Sequence, residues 1–275
     1  MTPHDIREFL RAALSEDIGY GDITTSSIIP EDKSSKATLL AKEDFILAGL
    51  PFFKEVFLLL DEDIRFKGFY NDGEGISKGS TIAFIEGKAR TLLMGERTGL
   101  NLIQRLSGIA TLTNRFVEKI KGLPVKITDT RKTTPMLRFF EKYAVRIGGG
   151  YNHRYGLYDG ILIKDNHIKI AGGIKRAVKK ARQEAHHLLR IEVEVRDIKE
   201  LRDALDAGAD VIMLDNMSID MMKEAVRIVN GKAMLEASGN ISLENITDVA
   251  KTGIDVISIG ALTHSARAVD MSMKL

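Results

Sequence analysis

From residue 125 onward the chain repeats one pattern, and that pattern limits its fold more than any other feature. Short aliphatic, β-branched runs occur at 125–128, 160–164, 190–195, 210–214, 232–237 and 255–260. Between them lie stretches with helical patterning at 136–147, 173–187, 197–207, 219–229 and 243–251. Strands alternating with helices of roughly this length build βαβ units on a parallel sheet. Ala207-Gly208-Ala209-Asp210 and Thr252-Gly253-Ile254-Asp255 both read as helix end, glycine stop and strand start. A cassette used twice in this way predicts an α/β barrel.

The preceding residues follow a different rule. Residues 3–15 are patterned as an amphipathic helix, 17–30 as a turn-rich loop, and 36–42, 64–70 and 81–86 as short strands. Residues 89–121 hold few breakers and read as one long helix or two joined ones. The expected organisation is therefore an N-terminal α/β domain over residues 1–110 and a barrel domain over 111–275. A C-terminal helix is expected to pack back on the first domain.

Composition removes several function classes. There is no cysteine, so disulfides, thiolate nucleophiles and Cys-ligated metals are excluded. No run approaches the ~18 apolar residues of a membrane span, and the first ten residues carry acids rather than an apolar signal core. These features predict a cytoplasmic protein that engages no membrane. The formal net charge of +2 hides a segregation. Residues 126–182 hold 14 Lys and Arg against 4 Asp and Glu, so the remainder is net acidic. A cationic middle predicts a focused anion site, with a solvated basic face as the plainer reading. No nucleic-acid motif accompanies it, so no nucleic-acid partner is expected.

In a parallel α/β barrel the chemistry sits where strands end. Here the ends carry Asp129, Arg131 and Lys132; Lys164, Asp165, Asn166 and His167; Asp215 and Asn216; Glu236 to Gly239; and Ser258 to Gly260. In Ile191-Glu192-Val193-Glu194-Val195 the period of two puts both glutamates on one face. The helix-covered face must be apolar, so Glu192 and Glu194 are expected to point inward, Glu194 nearer the mouth; a wet edge strand is the alternative. Lys164 and Asp215 follow the same parity. Gly148-Gly149-Gly150 lacks the rest of a P-loop. Ser238-Gly239-Asn240 and the segment from Gly260 follow the last two strands, and each is expected to open a helix that could hold a phosphate on its N–H groups. The plainer alternative is that these glycines only end strands. His153 is the histidine candidate; no pair has zinc spacing, and no Gly-x-Ser-x-Gly elbow is present.

The motifs EDIGYGDITT (16–25), ERTGLNLIQRLSGIAT (96–111), DTRKTTP (129–135), EKYAVRIGGGYNHRYGLYDGILIKDNHI (141–168), EVEV (192–195), MLDN (213–216), LEASGNI (235–241) and ISIGALTHS (257–265) occur in this order. Together they resemble the quinolinate phosphoribosyltransferase family nearly end to end. The resemblance implies an N-terminal α/β sandwich and an incomplete, open-faced parallel α/β barrel. It implies transfer of phosphoribose from phosphoribosyl pyrophosphate to quinolinate, giving nicotinate mononucleotide, pyrophosphate and CO2. It further implies a quinolinate pocket of Arg131, Lys132, His153 and Arg154, with Arg97 entering from the partner of a homodimer, alone or in a hexamer of dimers. Lys164 is implied between the substrates. Glu194 and Asp215 are implied at the ribose hydroxyls and Mg2+, the only cofactor. Ser238, Gly239, Asn240, Ser258 and Gly260 are implied around the phosphate. Lys132, Lys164, Glu194 and Asp215 are the implied catalytic set.

Departures from the family pattern are few. Met136 stands where glycine is frequent, Ile147 where cysteine is, Gly99 where alanine is usual, and Asn240 where the second glycine of Ser-Gly-Gly is usual. Three alternatives compete with the main reading: a molybdate-uptake-associated paralogue of the same fold, a nicotinate phosphoribosyltransferase without decarboxylation, and a non-catalytic barrel binding a phosphorylated metabolite. The surplus of cations, and the presence of Lys164, Glu194 and Asp215 together, favour the quinolinate enzyme.

Overall fold

A computed structural model describes residues 3–275, which divide into two compact units. In chain order the elements are α1 (Pro3–Ile18), α2 (Ile23–Ile28), β1 (Ser34–Ala41), β2 (Phe45–Ile46), α3 (Leu50–Leu60), β3 (Arg65–Gly68), β4 (Gly75–Ile76), β5 (Thr81–Lys88) and α4 (Ala89–Lys119). They continue with β6 (Lys126–Thr128), α5 (Arg138–Ile147), β7 (Ile161–Ile163), α6 (Asp165–Ala171), α7 (Ile174–Glu184), β8 (Ile191–Val195), α8 (Ile198–Asp206) and β9 (Val211–Asp215). The last are α9 (Ile219–Val229), β10 (Met234–Ser238), α10 (Ile246–Ala250), β11 (Val256–Ser258), α11 (Ala261–His264) and β12 (Met271–Lys274).

The first unit takes the chain up to Leu112 together with Phe139–Gly148 and Ala266–Leu275. Its main sheet is four-stranded, in the order β12-β1-β5-β3, and every pairing is antiparallel. Alternation buries Ala37, Leu39 and Ala41 of β1 and Met271 and Met273 of β12 on a core shared with Phe53 and Phe57 of α3 and Leu92, Leu100 and Ile103 of α4. Burying each of the leucine, isoleucine, methionine and phenylalanine side chains contributes about 1.5–3 kcal/mol. The C-terminal segment returns as β12, a strand and not the expected helix: Met-Ser-Met-Lys alternates with period two, and its register with β1 places both methionines inward. The expected loop at 17–30 contains α2, capped by Asp22 accepting from the Thr25 N–H.

The second unit comprises Thr113–Arg138 and Gly149–Ser265. Its six-stranded sheet has the order β6-β11-β10-β9-β8-β7, with every pairing parallel. β6 and β7 form opposite edges, so the barrel is open. The free edge of β6 is met by Tyr151, which bridges Thr128 and donates its N–H to the Ile127 carbonyl at 2.8 Å. Ile191, Val193 and Val195 of β8 are fully buried, which leaves the opposite face for the two glutamates. Asp197 and Ser218 cap α8 and α9. Two expected helix starts differ. α10 begins at Ile246, not at Asn240, because Ser242 and Asn245 form a turn first. Gly260 opens only the single turn of α11.

Candidate active site

The strand ends of the second unit surround a cavity of about 700 Å3. Its wall contains Arg131, Lys132, His153, Arg154, Lys164, Glu194, Asp215, Ser238, Gly239, Asn240, Ser258 and Gly260. Arg97 is not among these residues; it is exposed on α4, within the first unit. Thr130, Asn216 and His264 also line the cavity, and sequence reasoning did not select them. Asn216 had a signal, its place directly after Asp215 at a strand end. His264 lies on α11, its Nε2 3.1 Å from where a Cβ on Gly260 would sit; only its spacing from that glycine marked it.

Parallel register explains the convergence. Glu194 pairs with Met213, Met213 with Glu236, and Asp215 with Ser238, which in turn pairs with Ser258. Inward residues therefore fall into layers. Lys164, Glu194, Asp215 and Ser238 form the wetter rim, while Glu192, Glu236 and Ser258 are buried. Lys164 Nζ donates to Glu194 Oε2.

Two loops carry the remaining cations. Arg131 and Lys132 follow β6; the Lys132 carbonyl accepts from the Thr263 hydroxyl at 2.8 Å. His153 and Arg154 belong to the segment beside β6. The fully buried Asp129 anchors that segment, accepting from Asn152 Nδ2 at 2.7 Å and from the His153 N–H at 2.9 Å. Arg138 joins the two loops, donating to Thr133 Oγ1 at 2.9 Å and to the Tyr155 carbonyl at 2.8 Å. Arg154 donates to the Gly160 carbonyl at 2.7 Å. Burial, and then the nearby charge of Arg131, pull the Arg154 guanidinium below its ordinary pKa. A cavity in which guanidinium groups oppose one another favours an anion between them.

The small-residue end has its own lock. Asn216 (φ 55°), Gly239 (φ 91°) and Asn240 (φ 51°) all adopt left-handed backbone. Asn240 Nδ2 donates to Asn216 Oδ1 at 2.9 Å, and Asn216 Nδ2 donates to Asp215 Oδ1 at 3.0 Å. A Cβ on Gly239 would lie 2.2 Å from Asn216 Oδ1, so glycine is required there for space as well as for φ.

Beneath the rim, His153 Nε2 lies 3.1 Å from Glu192 Oε2 and 3.7 Å from Glu236 Oε2. Burial, and then the charge of Glu192, push the Glu236 carboxyl up to about 7. The three ligand atoms lie within 4.8 Å of one another, near enough for one metal ion. The imidazole argues against that use. Its Nδ1 accepts the Arg154 N–H at 2.8 Å, so in the neutral ring Nε2 carries the proton and has no lone pair for a metal. Glu194 and Asp215 suit a cation better. They lie at the ends of adjacent strands, open to the cavity, and among the described residues the Asp215 carboxylate accepts from the Asn216 amide alone.

Comparison with known proteins decides the family. Residues 22–107 match the N-terminal domain of quinolinate phosphoribosyl transferase, and residues 109–274 match its C-terminal domain. The chain belongs to this family. It is 50% identical over 268 residues to a probable nicotinate-nucleotide pyrophosphorylase (carboxylating) of Bacillus subtilis, covering 98% of this chain and 92% of the relative. A protein of the same description from Methanocaldococcus jannaschii is 47% identical, covering 98% and 96%. The crystal structure of NadC from Streptococcus pyogenes superposes with a TM-score of 0.96 at 44% identity, covering 100% of this chain and 97% of that one. The family's fold, an antiparallel-sheet α/β unit plus an unclosed parallel α/β sheet, is the one described above.

Proposed function

We propose that this chain is a quinolinate phosphoribosyltransferase: it joins quinolinate to the ribose of phosphoribosyl pyrophosphate and releases pyrophosphate and CO2, leaving nicotinate mononucleotide. The observation that carries this reading is the single cavity in which Arg131, Lys132, Arg154 and Lys164 meet two strand-end carboxylates and the Ser238–Asn240 and Gly260 turns. Quinolinate is a dianion and suits the cationic end, since guanidinium forks match carboxylates. The turns offer backbone N–H groups to a phosphate.

The pyridine nitrogen attacks the anomeric carbon as the bond to pyrophosphate breaks. Positive charge develops on the ribose, and Glu194 and Asp215 stabilise it while holding the ribose hydroxyls. Lys164, paired with Glu194, orients that carboxylate and faces both substrates. Glu194 and Asp215 would hold Mg2+, which would supply positive charge to offset the departing pyrophosphate. As the bond to the 2-carboxylate breaks, its electron pair stays on C2, where the positive charge of the adjacent pyridinium nitrogen stabilises it. CO2 leaves, and C2 takes up a proton. No covalent nucleophile on the protein is needed.

The working unit in this reading is a homodimer in the cytoplasm, with Arg97 completing the partner's quinolinate site. Among the described residues no helix is long and apolar enough to cross a membrane. Subunits carrying Arg97→Ala and Arg131→Ala, each inactive alone, are expected to regain activity when mixed under exchange conditions; no recovery refutes the shared site. The function itself is tested with Mg2+, phosphoribosyl pyrophosphate and either quinolinate or nicotinate. Equal amounts of CO2 and nicotinate mononucleotide from quinolinate alone are expected. Turnover of nicotinate without CO2 overturns the reading.

A further inference from the structure

His153 sits at the cavity wall, yet both of its ring nitrogens are engaged by the protein. Nε2 faces the buried Glu192 carboxylate at 3.1 Å, and Nδ1 accepts the Arg154 N–H at 2.8 Å. The His153 N–H itself donates to Asp129. Two hydrogen bonds therefore run in series, from Glu192 through the imidazole to the main chain of Arg154. Neither ring nitrogen is offered to a ligand. The Arg154 guanidinium, by contrast, lines the cavity and is held at its far end by the Gly160 carbonyl.

We propose that Glu192 is a positioning residue for quinolinate: it holds His153 as the Nε2–H tautomer, and the imidazole fixes the backbone of Arg154 so that its guanidinium faces the substrate carboxylate. The proposal rests on the quinolinate reading of the cavity. Glu192 suits this task because it is 8% exposed and opposes no lysine or arginine at hydrogen-bond distance among the described residues. Among the described residues its Oε1 accepts no hydrogen bond, so its hydrogen-bond contact is to the imidazole, and its charge also acts on the neighbouring Glu236 carboxyl. A buried carboxylate accepting from a histidine N–H is an ordinary means of setting tautomer and ring orientation. The chain also gives a use to an oxygen acceptor at position 192, on a strand whose rim position is already taken by Glu194.

Three proteins test the proposal: the wild type, Glu192→Gln, which keeps an oxygen acceptor without the charge, and Glu192→Leu, which removes the acceptor at similar volume. Nitrogen-15 spectra of histidine-labelled protein are expected to show the Nε2–H tautomer at His153 in the wild type and in Glu192→Gln. Glu192→Leu is expected to mix the two tautomers, because an imidazole no longer held at Nε2 can turn away from the Arg154 N–H. In steady-state assays Glu192→Leu is expected to raise the KM for quinolinate about tenfold, the effect of one hydrogen bond to a charged group. The KM for phosphoribosyl pyrophosphate changes less than about twofold, and Glu192→Gln restores the quinolinate KM.

An unchanged tautomer in folded Glu192→Leu overturns the proposal. So does a quinolinate KM that Glu192→Gln fails to restore, because the charge and not the hydrogen bond would then matter. The tautomer is read without turnover. A wild type that shows the expected spectrum but does not consume quinolinate refutes the functional reading and leaves the hydrogen-bond chain standing.

Discussion

Gly99 shows how a residue can oppose its own propensity. Glycine in a helix interior is disfavoured by roughly 0.5–1 kcal/mol relative to alanine, so propensity alone predicts that Gly99→Ala stabilises α4. A Cβ there would lie 3.0 Å from two ring atoms of Phe53, which is fully buried and packs its ring 5.1 Å from that of Phe57. The ring must give by a few tenths of an ångström while Phe57 stands against it, and overpacking costs about 1–3 kcal/mol. Gly99→Ala is therefore expected to lower the urea midpoint, and a higher midpoint would show that the ring yields. Gly239 and Asn240 make a matched pair in the second unit. Gly239→Ala adds left-handed strain and displaces Asn216, so the KM for phosphoribosyl pyrophosphate should rise at least about tenfold. Asn240→Gly keeps the backbone accessible and loses one exposed hydrogen bond, so the same KM should rise no more than about threefold. Equal effects from the two would mean that the Asn240 side chain, not the glycine turn, shapes the phosphate end.

At the scale of elements, what was legible depended on how much context each signal needs. The strands of the parallel sheet were readable because both faces obey strict rules: aliphatic toward the helices, polar or small inward at one end. Lys164, Glu194 and Asp215 followed from that parity, and Ser238 from its place at a strand end before a glycine. β12 was misread because four residues at a chain end carry too short a period to identify, and their pairing with β1 is set more than two hundred residues away. α10 was placed too early because Ser242 and Asn245 close a local turn that competes with the helix. Glu236 appeared only as a strand-end residue. Its burial beside Glu192 comes from the register of β8, β9 and β10, which no single segment encodes. That placement has a measurable sign. The folded-state value of about 7 lies above the ordinary carboxyl value of about 4.5, so the protonated form is the one folding favours. The contribution is full below about pH 4.5 and is lost as pH rises through about 7, by up to about 3 kcal/mol. Glu236→Gln should flatten the stability profile in that window and raise the melting temperature at pH 8. A wild-type slope that survives in Glu236→Gln assigns the titration to another group.

For the whole molecule, the segregated charge predicts less than its size implies. Of the cations between residues 126 and 182, only Arg131, Lys132, Arg154 and Lys164 line the cavity. Several others lie on α7, where Lys175 pairs with Asp203 and Asp206, and Arg182 with Asp210. These pairs are exposed and contribute little. Quinolinate therefore meets a short-range site of few charges rather than a long-range funnel. The Debye length falls from about 10 Å at 0.1 M salt to about 3 Å at 1 M, so the field of a distant basic face would collapse over this range while contacts inside the cavity would persist. Between 50 and 500 mM KCl, kcat/KM for quinolinate is expected to fall only severalfold. The double variant Lys179→Glu with Lys180→Glu, which reverses two exposed charges of α7 outside the cavity wall, should leave the quinolinate KM within about twofold at 50 mM salt. A tenfold loss in that variant would show that the basic face steers the substrate after all, and would move part of the recognition from the strand ends to the helix layer.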